Sequence, residues 1–339
     1  MIRYIASGDP GAAEAFGLLR RVGAVAPWAV ERVFDHPAVG AWATRVALGL
    51  RDGGGGGEGL AFVAAAAAVR AGVACEVGFP DVEVFVLPSL GVAPGGPGDL
   101  TVVPYPEIDL GGVVLQVDQW VQGGVPVDLP VAAEVDLETW RAVLGAAWGV
   151  LARDRAGVAA EFAAAVSVVT PMPSVVGGTT SATVSDAVGC VFLASTGDAE
   201  VLAVVLAHET QHTKLAALMD LFPLVRDTSE LFYAPWRDDP RPAVGLLHGT
   251  YAHLGVAGFW RGRGGERALV EYARWRGAAL TGAEALLGAG VLTEVGREFV
   301  EGMASVLRGW CGEELPGWAV AAAVEKAREH RDRWRVAHG

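Results

Sequence analysis

His208-Glu209-Thr210-Gln211-His212, inside the apolar run from Ala199 to Leu224, is the stretch on which the reading of this chain turns. Histidines four residues apart lie one above the other on a single helix face, so both imidazoles can converge on one metal ion. Shuffling a chain with 7 His among 339 residues would give H-E-x-x-H only about 0.01 times. The flanks predict the helix. Gly197-Asp198 supplies a turn and an N-cap, Val201, Leu202, Val204, Val205, Leu215, Leu218 and Met219 recur at helical spacing, and Pro223 is the stop.

Outward from that helix, composition sets the class. With 52% hydrophobic residues among 339, the chain can bury a sizeable core. A net charge of -13, without clustered Lys and Arg, argues against nucleic-acid binding. Cys75, Cys190 and Cys311 form no C-x-x-C spacing, so neither a disulfide framework nor a zinc-thiolate knuckle is indicated and a reducing, cytoplasmic setting is expected. The start lacks an apolar signal core, and the longest uncharged apolar run, Gly59 to Val69, is too short for a membrane span.

Taken in order, residues 10–50 read as three helical segments, the second opened by Pro27-Trp28 and the third by Asp35-His36-Pro37, with His36 as a turn or cap residue. Gly53 to Gly57 reads as a linker, after which a helix resumes from Glu58 to Arg70. Val82–Leu87, Leu100–Val103 and Val113–Val117 then read as strands of an antiparallel sheet whose edge could pair with an extended peptide. A helix from Leu137 to about Val169 follows, then a hydroxyl-rich loop, Gly177 to Ser185, a strand from Val188 to Leu193, and the histidine helix. Beyond it, Glu230 to Pro242 reads as a stiff loop presenting Arg237 and Arg241, and Ala243 to Trp260 as an apolar helix holding His248 and His253. Three helices are expected from Gly264 onward. The predicted fold is α+β, predominantly helical, with a small antiparallel sheet and a central HExxH helix. A helical and β-rich region, 1–165, with a role in peptide binding, is expected to precede a mainly helical catalytic region, 166–339.

A catalytic metal site needs a third protein ligand and open positions. Residue chemistry alone first points to a zinc peptidase, with Glu209 as general base and Glu230 or a later histidine as the third ligand. The extended H-E-x-x-H-x-x-G-x-x-H pattern is absent, since Leu215 and Met219 hold its Gly and His positions.

His-Glu-Thr-Gln-His-Thr-Lys-Leu from 208, Ala234-Pro235-Trp236-Arg237-Asp238-Asp239-Pro240-Arg241-Pro242 and Gly245-Leu246-Leu247-His248-Gly249-Thr250-Tyr251-Ala252 resemble the HExxH-type peptide-modification proteins of ribosomal natural-product biosynthesis. Weaker likeness extends to Asp35–Trp42 and Ser181–Gly189. These proteins are 2-oxoglutarate-dependent peptide β-hydroxylases. The resemblance implies Fe(II) rather than zinc, with His208, His212 and His248 as ligands, 2-oxoglutarate as cosubstrate and a ribosomally made precursor peptide as partner. The usual oxygenase triad contains one carboxylate, so a three-histidine set leaves Glu209 or Glu230 as a ligand or as an orienting partner. Arg237 or Arg241 suits the distal carboxylate of 2-oxoglutarate, against the alternative of a surface ion pair with Asp238 or Asp239. Ser181 and Thr183 are candidate hydroxyl donors. His253, five residues past His248 and about 140° round an ideal helix, is expected to be a spectator. A metal-stabilised peptide-binding module without catalysis is the third reading.

Overall fold

A computed structural model describes residues 10–47, 58–79, 81–96, 98, 100–118, 131–132, 134–173 and 180–338. Among them the chain is predominantly helical with small sheets, an α+β fold. It divides into two compact units, 1–146 with 163–198, and 147–162 with 199–339. The division does not follow a single cut at 165/166, because the segment 147–162 belongs to the second unit.

The first unit opens with helices α1 (Pro10–Val25), α2 (Pro27–Phe34) and α3 (Pro37–Ala47). Proline at the first helical position costs no hydrogen bond there and presets φ, which is why the Pro-marked boundaries fall where the sequence places them. Helix α4 (Glu58–Ala71) lays its alanine block, Ala64 to Ala68, against Leu18, Val22 and Val33, the small side chains allowing close approach. The expected Gly53–Gly57 linker lies outside the described residues.

Strands β1 (Val84–Leu87), β2 (Gly91–Pro94) and β3 (Val103–Pro104) form an antiparallel sheet. The β2 segment lies between the expected strands, and Gly91 pairs with β3 so closely that a Cβ would stand 2.0 Å from the Val103 carbonyl oxygen. Glycine here permits the approach as well as its φ of 151°.

The expected antiparallel pairing holds in that sheet, whereas the second sheet is mixed. It has five strands in the order β4 (Glu107–Asp109), β5 (Val114–Val117), β6 (Val168–Met172), β8 (Cys190–Ala194), β7 (Ser181–Thr183), and its β5–β6 and β6–β8 pairs are parallel. Every residue of β6 and β8 is buried, as strands covered on both faces are. The single helix expected from Leu137 to Val169 is instead α5 (Leu137–Asp154) and α6 (Ala156–Ala165), and its last residues belong to β6. At the break, Arg155 donates to the carbonyls of Gly258 and Phe259 at 3.1 Å, a tertiary tie that local sequence does not reveal.

The second unit is built from α7 (Ala199–Leu221), a two-stranded ribbon of β9 (Leu231–Phe232) and β10 (Arg241–Pro242), α8 (Ala243–Trp260), α9 (Glu266–Ala289), α10 (Glu294–Cys311) and α11 (Gly317–His338). The last three helices match the expected count. Gly290 ends α9 in the left-handed region, and Thr293 caps α10 by accepting from the Gly296 N–H at 3.0 Å. The core gathers Leu215, Leu246, Leu247, Ala283, Leu286 and Leu307. Among the described residues no helix is long and apolar enough to cross a membrane.

Candidate metal centre

Helix α7 carries the paired histidines and α8 lies against it. Both helices are apolar, which suits elements buried on several sides. Their pairing runs antiparallel, for His208 meets His253 and His212 meets His248. Close approach needs a gap in the α8 surface at Gly255, where a Cβ would fall 2.5 Å from Gln211 Cγ.

The Nε2 atoms of His208 and His212 stand 3.0 Å apart. Two nitrogens bound side by side to one ion at roughly 2.1 Å each would be ~3 Å apart, so this pair already has ligand spacing. Glu209 is buried, with Oε1 3.9 Å from His208 Nε2. Among the described residues, His208, Glu209 and His212 are the group whose ligand atoms all lie within 4.8 Å of one another. Glu230, the carboxylate alternative, is exposed outside that group, and its backbone N–H donates to Thr228 Oγ1 at 3.1 Å.

His248 lies beside the pair, but it meets His212 on the other ring nitrogen, Nδ1 to Nδ1 at 3.4 Å. Binding one ion together with both Nε2 atoms would require a turn of the His212 or His248 ring. As the rings stand, His248 is placed to orient His212.

His253 belongs to the cluster, which the helix-wheel argument missed. Its ring sits edge-on to His208, 5.1 Å between centroids, and is held between Trp236 at 4.5 Å and Trp275 at 4.6 Å. His253 Nδ1 lies 2.8 Å from the Gly249 carbonyl oxygen, which can only accept, so the proton is on Nδ1 and Nε2 keeps its lone pair. A metal-ligating histidine commonly has this backbone bond on its second nitrogen. Trp236 reaches its seat because Gly249 has no side chain; a Cβ there would lie 2.5 Å from the indole. The signal in the sequence was an apolar helix with two histidines facing a helix with two more.

Burial lowers the basicity of all four imidazoles. It is the largest cause for each, offset at His208 by the Glu209 charge and deepened at His212 by the neighbouring His208, His248 and His253. Neutral rings present lone pairs, the form a metal binds. His208, His212 and His248 are partly exposed while His253 is buried, so the first three border the accessible side, where open coordination positions would be needed.

Other predicted residues are placed elsewhere. Arg237 Nε donates to Asp239 Oδ1 at 2.7 Å and Arg241 donates to Asp239 Oδ2 at 3.2 Å, so both guanidiniums hold one half-exposed carboxylate. Ser181 and Thr183 are on β7 of the first unit, paired with Leu193 and Val191. No family model and no curated protein matches the chain.

Proposed function

We propose that the chain is a non-haem Fe(II)/2-oxoglutarate-dependent oxygenase that hydroxylates the β-carbon of a residue in a ribosomally synthesised precursor peptide. The observation that carries the metal part is the 3.0 Å spacing of the His208 and His212 Nε2 atoms beside two further imidazoles from α8. The iron and the peptide chemistry rest on the resemblance of residues 208–260 to the HExxH-type peptide hydroxylases.

His208 and His212 hold the ion in this reading, and His248 completes the set after its ring turns. When bound, iron with 2-oxoglutarate and O2 supplies the oxidising power for an unactivated C–H bond. His253, locked by Gly249 and the two tryptophans, fixes the position of the His208 ring. Glu209 orients a ligand rather than moving a proton. Arg237 or Arg241 takes the distal carboxylate of 2-oxoglutarate in exchange for Asp239, and a Lys replacement would keep the charge but lose the two-pronged geometry. The chain is placed in the cytoplasm on the sequence argument alone.

Anaerobic purification with metal analysis, then a 2-oxoglutarate turnover assay with candidate peptide, tests the reading. Iron-dependent succinate formation and a gain of one oxygen atom from O2 on an intact peptide support it. The buried Glu209 beside His208 favours a second reading, a zinc hydrolase with Glu209 as general base. Peptide cleavage with zinc in the absence of O2 would establish that one and refute the oxygenase.

A further inference from the structure

A cavity of about 450 Å³ in the first unit is lined by Arg32, Asp35, His36, Ser89, Gln116 and Ser167, together with residues 163–166. That volume is in the range of small-molecule sites. His36 is 4% exposed. Its Nδ1 accepts from the Ala38 N–H at 3.3 Å, which puts the ring proton on Nε2, and among the described residues Nε2–H has no acceptor. Tyr105, stacked on the His36 ring at 6.0 Å and 9°, has a buried hydroxyl in the same condition. Buried donors rarely lack an acceptor, and the His36 Nε2–H, in the wall of the cavity, is a donor that an acceptor bound there would satisfy.

Charge points the same way. Arg70 donates through Nε to Ser89 Oγ at 2.8 Å and through its terminal nitrogen to the Ser89 carbonyl, close enough to Arg32 to feel its charge and, to a smaller extent, that of Glu107. Among the described residues neither Arg32 nor Arg70 makes an ion pair within 4.0 Å. Burial first, then the charges of Arg32 and Arg70, push the His36 imidazole down to about 3, so it is a neutral donor under a positive field. Ser89 has a φ of 67°, unusual for a residue with a side chain, and Gln116 also donates to its carbonyl at 3.1 Å. An uncommon backbone conformation pinned from two sides at a cavity wall is a feature of ligand sites. The lining also contains one carboxylate, Asp35, which is exposed as Arg32 is. Beside Val188 and Gly189, the wall includes the last turn of α6, where helix carbonyls are left without intrahelical partners.

We infer that this cavity is a binding site for a small ligand carrying an oxyanion, carboxylate or phosphate, together with a hydroxyl or N–H donor. The oxyanion is held by Arg32 and the His36 Nε2–H, and the donor by the carbonyl end of α6. This site is independent of the metal reading.

Glycolate and glycerol 3-phosphate carry the two oxyanions, each with hydroxyl donors, and serve as probes. Each is titrated into the full chain labelled with ¹⁵N-histidine, following the His36 Nε2 resonance. One of them is expected to shift that resonance saturably, and which one does so separates carboxylate from phosphate. Arg32→Gln lies on an exposed helix face, so the fold is retained, and it should weaken the binding at least about tenfold. Thermal melting of the same samples should rise with the effective probe in the parent and less in the variant. An unmoved His36 resonance with both probes, or equal affinity in Arg32→Gln, overturns the site.

Discussion

On α7 and α8 four imidazoles crowd one another, whereas His36 in the first unit lies against Tyr105 under the fields of Arg32 and Arg70. Burial is the main reason that each of these rings is neutral, but what surrounds them differs. In the α7/α8 cluster ring nitrogens face one another, at 3.0 Å between His208 and His212 and 3.4 Å between His212 and His248, so lone pairs from different rings converge. Around His36 are two protons, on an imidazole and a phenol, that find no acceptor among the described residues. On the two proposals made above, the same residue type takes a cation in one unit and an anion in the other. Composition and net charge are blind to that distinction; it follows from which ring nitrogen is already occupied.

The largest expected effect breaks the first half of the contrast. His212→Ala should lower metal affinity by more than the roughly 10–100-fold typical of losing an orienting partner, with helicity unchanged by circular dichroism. His248→Ala should match it in metal titrations, and His253→Ala should fall within that 10–100-fold band. Were His253→Ala the more damaging of the two, the bracing ring would be the ligand and His248 its support.

Next in size is the seat of Trp236. Gly249→Ala places a Cβ against the indole and should destabilise the protein by about 1–3 kcal/mol in denaturant titration, with altered tryptophan fluorescence. Unchanged stability and emission would show that the bracket around His253 is loose.

Acidification sharpens the second half. The unfolded chain protonates His36 near 6.5, but the folded one does so only near 3, so between those values the unfolded state binds more protons. His36 therefore contributes stability above about pH 6.5 that is lost as pH falls toward 3. The melting temperature of His36→Gln should consequently decline less steeply than the parent's across that window. Equal slopes would mean that His36 is not held neutral.

The smallest effect concerns Asp239. Asp239→Asn removes a half-exposed partner from both Arg237 and Arg241 and should change stability by less than about 1 kcal/mol. Under the oxygenase reading it should also lower, not raise, the apparent KM for 2-oxoglutarate, because the competing carboxylate is gone. A rise would exclude the exchange.

How far the sequence could be read depended on the range of the interaction. Proline-opened helices and the i, i+4 histidines are local, and both were legible. The strand β6 was hidden because Val166 to Thr170 follows an alanine-rich helix, and only pairing with β5 and β8 distinguishes its β-branched residues from a helix end. The place of His253 depends on which residues of α7 it faces. Five residues on α8 span nearly the same rise as four on α7, so two antiparallel helices bring both pairs together although 248 and 253 point apart on a wheel. The unpaired Nε2 of His36 is a property of three-dimensional neighbours, and in sequence His36 was only a turn residue before proline.

Chain path also constrains how this molecule can be assembled or cut. The chain leaves the first unit after residue 146, contributes 147–162 to the second, returns for 163–198, and departs again. Neither unit is a continuous piece of polypeptide. During synthesis β5 emerges long before β6, its parallel neighbour on the growing sheet, so the edge of β5 waits through the making of two helices before it is covered. A fragment stopped near residue 146 would leave that edge, with Leu115 and Val117, without its partner strand, an invitation to pair with another copy. Splitting the gene after Asp198 would give a first half with its whole sheet but with 147–162 stranded from the helices it packs with, so the two halves should recover solubility only when coexpressed.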